Sequence, residues 1–176
     1  PTEGALITAA EKAGIRRADL EKVFPRVREI PFTSERKRMA TLHKTPENQV
    51  VAYVKGAPET ILERCTLILE NGKETKLTQT KINKILEANA QLAGNALRVL
   101  AFAYKRFPSL DEDLDDDTIE QGLVFVGLQG MIDPPRPEVI EANKTCRKAG
   151  IKTVMITGDH KLTAVAVARE VGIFKE

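Results

Sequence analysis

Hydrophobic positions along the chain follow two grammars. From Thr2 to Ala13, the residues Ala5, Leu6, Ala9, Ala10 and Ala13 recur at helical spacing, and Gly14 stops the pattern. Residues 23–30 alternate through Val23, Pro25, Val27 and Glu29, which predicts a strand weakened by Pro25. Two further strands fit Arg38 to His43 and Gln49 to Lys55, joined by the turn residues Lys44-Thr45-Pro46-Glu47-Asn48 as a hairpin. Pro58 sits at a tolerated first-turn position of a short helix reaching about Arg64. Asn71-Gly72 is a turn between short extended pieces. Thr78 to Leu92 is amphipathic, with Ile82, Ile85, Leu86 and Asn89 on one face and Gly94 as its stop. A strand follows over Val99 to Tyr104, then an acidic stretch, Asp111 to Asp117, read as an exposed loop.

From Leu123 the pattern changes. Leu123 to Leu128 is a continuous apolar strand, broken by Asp133-Pro134-Pro135-Arg136-Pro137. Pro137 to Lys148 reads as a helix ending at Gly150, Ile151 to Ile156 as a β-branched strand, and His160 to Val171 as a second helix. Helix–strand–helix around an apolar strand is the mark of a parallel α/β sheet, whereas the earlier hairpins look antiparallel. The expected class is therefore mixed α/β (α+β): an antiparallel sheet with flanking helices over residues 1–130, then a hinge and part of a parallel α/β domain over 131–176.

Composition narrows the partners. The 176 residues carry 27 Lys and Arg against 25 Asp and Glu, a net charge of +2, and Trp is absent. Neither the charge nor the aromatic content suggests a nucleic-acid partner. Cys65 and Cys146 lack any Cys or His at ligand spacing and read as reduced, buried thiols of a cytosolic compartment, so no metal site is expected from them. No apolar run approaches the ~20 residues that cross a bilayer. Pro1 is not an initiator Met, and the start reads as that of a chain cut from something longer.

Candidate chemistry gathers where strands end. In Met155-Ile156-Thr157-Gly158-Asp159-His160 a strand turns into a helix: Gly158 permits close approach, Thr157 adds a hydroxyl, and the helix start offers N–H groups to a phosphoryl group. The same residues suit an ordinary crossover helix with Asp159 as its N-cap. Lys55-Gly56-Ala57-Pro58-Glu59 places an ammonium and an open backbone at another strand end, or a solvated Lys before a helix. Phe32 to Arg38 couples a ring with cations, as adenine and a triphosphate require, or is a core Phe beside a basic turn. Arg98 is ambiguous in the same way, and Glu3 is most simply a first-turn carboxylate favoured by the helix dipole.

In order, Pro1-Thr2-Glu3-Gly4-Ala5-Leu6, Phe32-Thr33-Ser34-Glu35-Arg36-Lys37, Lys55-Gly56-Ala57-Pro58-Glu59, Ala96-Leu97-Arg98, Met131-Ile132-Asp133-Pro134-Pro135-Arg136 and Ile156-Thr157-Gly158-Asp159 span essentially the whole chain. The series resembles P-type cation-transporting ATPases of the calcium-pump and sodium-pump branch. The resemblance implies a nucleotide-binding domain over 1–130, lacking its first strands, and a hinge with part of a haloacid-dehalogenase-like phosphorylation domain over 131–176. It implies that ATP is held by Glu3 at the adenine edge, Phe32 stacked on the base, Lys37, Lys55 and Gly56 lining the pocket, and Arg98 toward phosphates or ribose. Thr157, Gly158 and Asp159 would lie against the transferred phosphoryl group. The implied partners are ATP, Mg²⁺ and the remaining phosphorylation, actuator and membrane domains of an integral membrane pump, of which this is a cytoplasmic portion.

The chain also departs from the family. The phosphorylated Asp-Lys-Thr-Gly-Thr segment and the Gly-Asp-Gly-x-Asn-Asp segment are both missing, so the chain is expected to bind ATP without turning it over, with magnesium held mainly by residues it lacks. Ser34 falls where many relatives carry a basic residue. Two other readings are a haloacid-dehalogenase-type phosphatase, which lacks its Asp-x-Asp here, and a non-catalytic nucleotide-sensing module.

Overall fold

The computed structural model describes residues 2–95, 97–109, 115–132, 135–157 and 161–174. Helix α1 (Thr2–Lys12) closes at Gly14, whose φ of +77° favours a residue without Cβ. A second helix, α2 (Arg17–Val23), precedes strand β1 (Arg26–Ile30), so the predicted strand over 23–30 is shorter than expected. Pro25 explains the difference, because it can neither continue α2 nor donate to the ladder, and it separates the two elements. The predicted hairpin forms from β2 (Arg38–Lys44) and β3 (Val50–Gly56), with Asn48 turning at φ +61°.

Helix α3 (Pro58–Arg64) follows with proline in its first turn, then β4 (Cys65–Glu70) and β5 (Lys73–Lys76) around Asn71-Gly72. Helix α4 (Gln79–Gly94) lays Ile82, Ile85 and Leu86 against the core, as its spacing predicts. Strand β6 (Arg98–Phe107) runs beyond the predicted Tyr104. The expected acidic loop is corrected in part. Asp115 caps a short helix, α5 (Asp116–Ile119), accepting from the Thr118 backbone N–H at 2.8 Å and from its hydroxyl at 2.7 Å; residues 111–114 lie outside the described residues.

Strand β7 (Leu123–Met131) completes a seven-stranded sheet in the order β1-β2-β3-β6-β7-β4-β5. Pairs β1/β2, β2/β3, β3/β6 and β4/β5 are antiparallel, while β4 runs parallel to β7. The sheet therefore mixes both directions, and Leu123 to Leu128 belongs to it rather than opening a separate parallel one. One face carries the core: Ile30, Leu42, Ile61, Ile119 and Leu123 are each at most 2% exposed. Helices α6 (Pro137–Lys148) and α7 (Lys161–Glu170) follow.

The predicted strand Ile151 to Ile156 is not formed. Residues 151–157 have no regular structure, and Val154 and Ile156 are 68% and 94% exposed. Strand chemistry alone does not make a strand, because its N–H and C=O groups need a neighbouring ladder.

The chain divides into two compact units, Pro1–Leu86 with Leu100–Gln129, and Glu87–Val99 with Gly130–Glu176. In the second, Asn143 is buried and its amide donates to the Val171 carbonyl at 2.9 Å, tying α6 to the end of α7.

Candidate functional site

The hairpin β2/β3 fixes where side chains go. Its register sets Arg38 opposite Gly56, Met39 opposite Lys55 and Thr41 opposite Tyr53. Because successive strand residues alternate faces, Ala40, Leu42, Ala52 and Val54 enter the core while Met39, Thr41, Tyr53 and Lys55 share the other side. There they line a groove of about 430 Å³, together with Glu3 and Leu6 of α1. His43 also lines it; its Nδ1 donates to the Phe24 carbonyl at 2.9 Å, and its Nε2 lies 3.0 Å from the Thr41 hydroxyl oxygen.

Glu3 and Lys55, 52 residues apart in sequence, meet at this groove: the ammonium donates to both carboxylate oxygens, at 2.6 and 2.7 Å. Lys55 is mostly shielded and Glu3 mostly exposed, so the pair contributes little to stability. Its value is chemical, since it presents a donor and an acceptor side by side. Burial pushes the Tyr53 phenol above its ordinary value, opposed by the Arg106 charge, so the groove has a neutral hydroxyl in its wall.

Gly56 stands where the turn before β2 passes. A Cβ there would come within 2.5 Å of the Lys37 carbonyl oxygen and 2.7 Å of Arg38 Cβ, too close for any side chain. The same Lys37 carbonyl accepts from the Ala57 N–H at 3.0 Å, so a glycine is what lets the turn before β2 lie on the end of β3. That turn is tight. The Lys37 N–H donates to the Thr33 carbonyl at 2.8 Å, the Arg36 N–H to the Thr33 hydroxyl at 3.2 Å, and Lys37 takes φ +51°. Phe32 enters the turn 57% exposed; it and Lys37 are not among the groove's lining residues.

The structure thus brings Glu3 to Lys55, and Lys37 to Gly56. Arg98, exposed at the start of β6, and Thr157, exposed at the end of the irregular segment, belong to the second unit. Gly158 and Asp159 lie outside the described residues, as do Asp133 and Pro134 of the expected hinge.

Sequence reasoning missed several features. Met39, Thr41 and Tyr53 were not singled out as groove positions, although the period-two alternation puts them on the face opposite Leu42. Arg36 and Arg38 read as cations available to a triphosphate, but they turn inward to Glu120, with Arg38 Nε donating at 2.6 Å. Nothing local in the sequence signals that partner. Nor are the cysteines fully buried: both are half-buried free thiols, and burial still pushes the Cys65 thiol up to about 12, away from reactivity. Among the described residues, no group of three or more His, Cys, Asp or Glu side chains could hold a metal ion, and no helix is long and apolar enough to cross a membrane.

Comparison with known proteins supplies the context. A family model described as P-type ATPase, cytoplasmic domain N, matches residues 1–138. A calcium-transporting ATPase 1 of Bacillus cereus is 48% identical over 176 residues, covering 100% of this chain and 20% of the relative. The cation-transporting ATPase pma1 of Synechocystis is 46% identical, covering 100% of this chain and 19% of its own length. A sodium/potassium-transporting ATPase subunit alpha-1 of Catostomus commersonii is 40% identical, covering 99% of this chain and 18% of its own. The chain spans about a fifth of the length of these relatives.

Proposed function

This chain belongs to the P-type cation-transporting ATPases, as part of their cytoplasmic domain N, and from that premise we propose that its groove binds the adenine and ribose of ATP. The observation that carries this reading is the Glu3–Lys55 pair lining a groove of about 430 Å³, a size ordinary for a small-molecule site. Adenine offers an amino donor beside a ring-nitrogen acceptor; Glu3 accepts from the first and Lys55 donates to the second. Guanine offers two adjacent acceptors on that edge and leaves the carboxylate unmatched. Leu6, Met39 and Tyr53 of the groove supply apolar contact for the base, while Phe32 and Lys37, on the turn against Gly56 and outside the groove's lining, would supply a ring for stacking and an ammonium for the phosphates.

On this reading the longer parent is an integral membrane pump that passes the γ-phosphoryl group of ATP to an aspartate and couples that step to cation movement. Magnesium would supply charge neutralisation at the phosphates; the described residues offer it no cluster of three or more His, Cys, Asp or Glu side chains. Thr157, Gly158 and Asp159 remain the candidates for contact with the transferred group, and residues 131–176 for part of the phosphorylation domain. This chain alone binds without turnover: incubation with labelled ATP leaves no acyl-phosphate on it.

Calorimetric titration of the 176-residue chain with ATP and GTP tests the site. ATP binds, GTP binds about tenfold more weakly, and Lys55→Ala removes most of that preference. Equal affinity for the two nucleotides in the wild-type chain would remove the Glu3–Lys55 edge from the site, and no binding of either would end the reading.

A further inference from the structure

Between α5 and β7 stands a residue with no motif around it: Glu120 is 0% exposed. A carboxylate leaves water only where charged donors replace the lost solvation. Here Oε2 accepts from Arg38 Nε at 2.6 Å, and Oε1 accepts from an Arg36 guanidinium nitrogen. Arg38 is itself only 6% exposed. Both arginines then spend further donors on the turn before β2. Arg38 Nη1 donates to the Arg36 carbonyl at 3.1 Å, and Arg36 Nη1 to the Pro31 carbonyl at 3.3 Å. One buried carboxylate, 82 and 84 residues away along the chain, is thereby tied to both ends of the segment that carries Phe32 and Lys37.

That segment needs holding. Lys37 adopts a left-handed backbone, which L side chains keep only where the surroundings over-determine it. Its own N–H and C=O are already engaged by Thr33 and Ala57, so the remaining freedom lies in the flanks, where Arg36 and Arg38 act.

We propose that Glu120 is a positioning residue of the nucleotide site: through Arg36 and Arg38 it presets the turn, so that the Phe32 ring and Lys37 ammonium are aimed before ligand arrives. The inference rests on the nucleotide reading above. Glu120 touches no ligand itself; it acts by moving the ordering cost of the turn from binding into folding. The clamp requires charge as well as shape, because a neutral side chain would leave the buried Arg38 without the carboxylate bonded to it, with Asp117 acting on it only through the field.

The test uses the 176-residue chain with ATP as the probe. Arg36→Gln is the gentle variant, since Arg36 is 27% exposed and Arg38 still neutralises Glu120; Glu120→Gln is the severe one. Arg36→Gln weakens ATP binding at least about fivefold, a magnitude usual for coupling between sites. The amide resonances of Thr33 to Lys37 move, while those of Leu42 and Val54 stay in place, which a general loss of structure would not produce. In a Phe32→Ala background the same substitution costs less than in the wild-type chain, because the turn then has only the Lys37 ammonium to aim. If Glu120→Gln does not fold, Arg36→Gln decides alone. Wild-type affinity in Arg36→Gln overturns the positioning role and leaves the nucleotide reading standing, as does a loss that persists undiminished without Phe32. Failure of the wild-type chain to bind ATP overturns both.

Discussion

Two runs of β-branched residues in this chain meet opposite ends. Val50–Gly56 lies between β2 and β6, bonded along both edges, with Val50, Val51, Ala52 and Val54 all at most 4% exposed. Ile151 to Ile156 has the same chemistry but no strand structure, and Ile151, Val154 and Ile156 are 59%, 68% and 94% exposed. The two differ in neighbours. A strand's backbone groups are satisfied only by adjacent strands, so the first run is held by the sheet it completes and the second has no ladder to join among the described residues. The candidate site residues follow the same division: Glu3 meets Lys55, and the Lys37 backbone meets Gly56, where the sheet is whole.

Truncating one residue in each region breaks or sharpens this contrast most strongly. Leu42→Ala, at a fully buried position, lowers unfolding stability by about 2–5 kcal/mol, whereas Ile156→Ala changes it by less than about 0.5 kcal/mol. Urea denaturation followed by far-ultraviolet circular dichroism reads the helices of both units, whereas tyrosine fluorescence would see only the first, where Tyr53 and Tyr104 lie. A loss from Ile156→Ala comparable to that from Leu42→Ala would mean the irregular segment is packed after all.

Two glycines give the next largest difference. Gly56 has space for no Cβ, and Gly56→Ala forces the Lys37–Arg38 backbone away at about 1–3 kcal/mol, weakening ATP binding with it. Gly150 has nothing within 4 Å of its would-be Cβ but sits at φ +75°, so Gly150→Ala costs about 1 kcal/mol through backbone strain and leaves ATP binding unchanged. Thermal denaturation and calorimetry on both variants separate crowding from strain.

Much of the first unit was legible because local signals and tertiary context agree there. The hairpin turn, the proline start of α3 and the Ile82–Leu86 face of α4 each have one local cause, and the fold honours it. The second run was misread because β-branching signals a strand without signalling a partner for it. Glu120 was invisible for a related reason: its environment is made by Arg36 and Arg38, 82 and 84 residues away, and no spacing rule reaches that far. The Glu3–Lys55 pair was foreseeable only as two members of one site, since a carboxylate in a first helical turn and a lysine at a strand end each have an ordinary explanation.

Phe32→Ala against Thr157→Ala carries the contrast to the ligand. Removing the exposed Phe32 ring lowers ATP affinity by about 1–3 kcal/mol, on the scale of a base stacked on an aromatic side chain. Thr157→Ala, at a residue proposed to meet the phosphoryl group only as it is transferred, a step this chain alone does not perform, leaves the affinity of this chain within about 0.5 kcal/mol. Equal affinities for wild type and Phe32→Ala would remove the ring from the site.

The smallest effect is a dependence on acid. On the first unit's sheet the Tyr104 hydroxyl donates to Glu74 at 2.6 Å, and Arg106 pairs with the same carboxylate; these bonds, the tyrosine's first, hold Glu74 below its usual range. A carboxyl whose folded value is depressed stabilises the native state fully above its unfolded value of about 4.3, and that contribution drains as pH falls through the lower folded value. The first unit therefore loses stability below about pH 4.3, and Glu74→Gln, which titrates in neither state and resembles the protonated carboxyl, flattens that limb by giving up at neutral pH the same amount that wild type loses in acid. The screened, surface position keeps the change modest. Tyrosine fluorescence against urea at stepped pH reads it directly, since Tyr104 is both the reporter and the hydrogen-bond partner. An acid limb as steep in Glu74→Gln as in wild type would move the acid sensitivity to other depressed carboxyls of this unit, Glu70, Asp115 and Asp117.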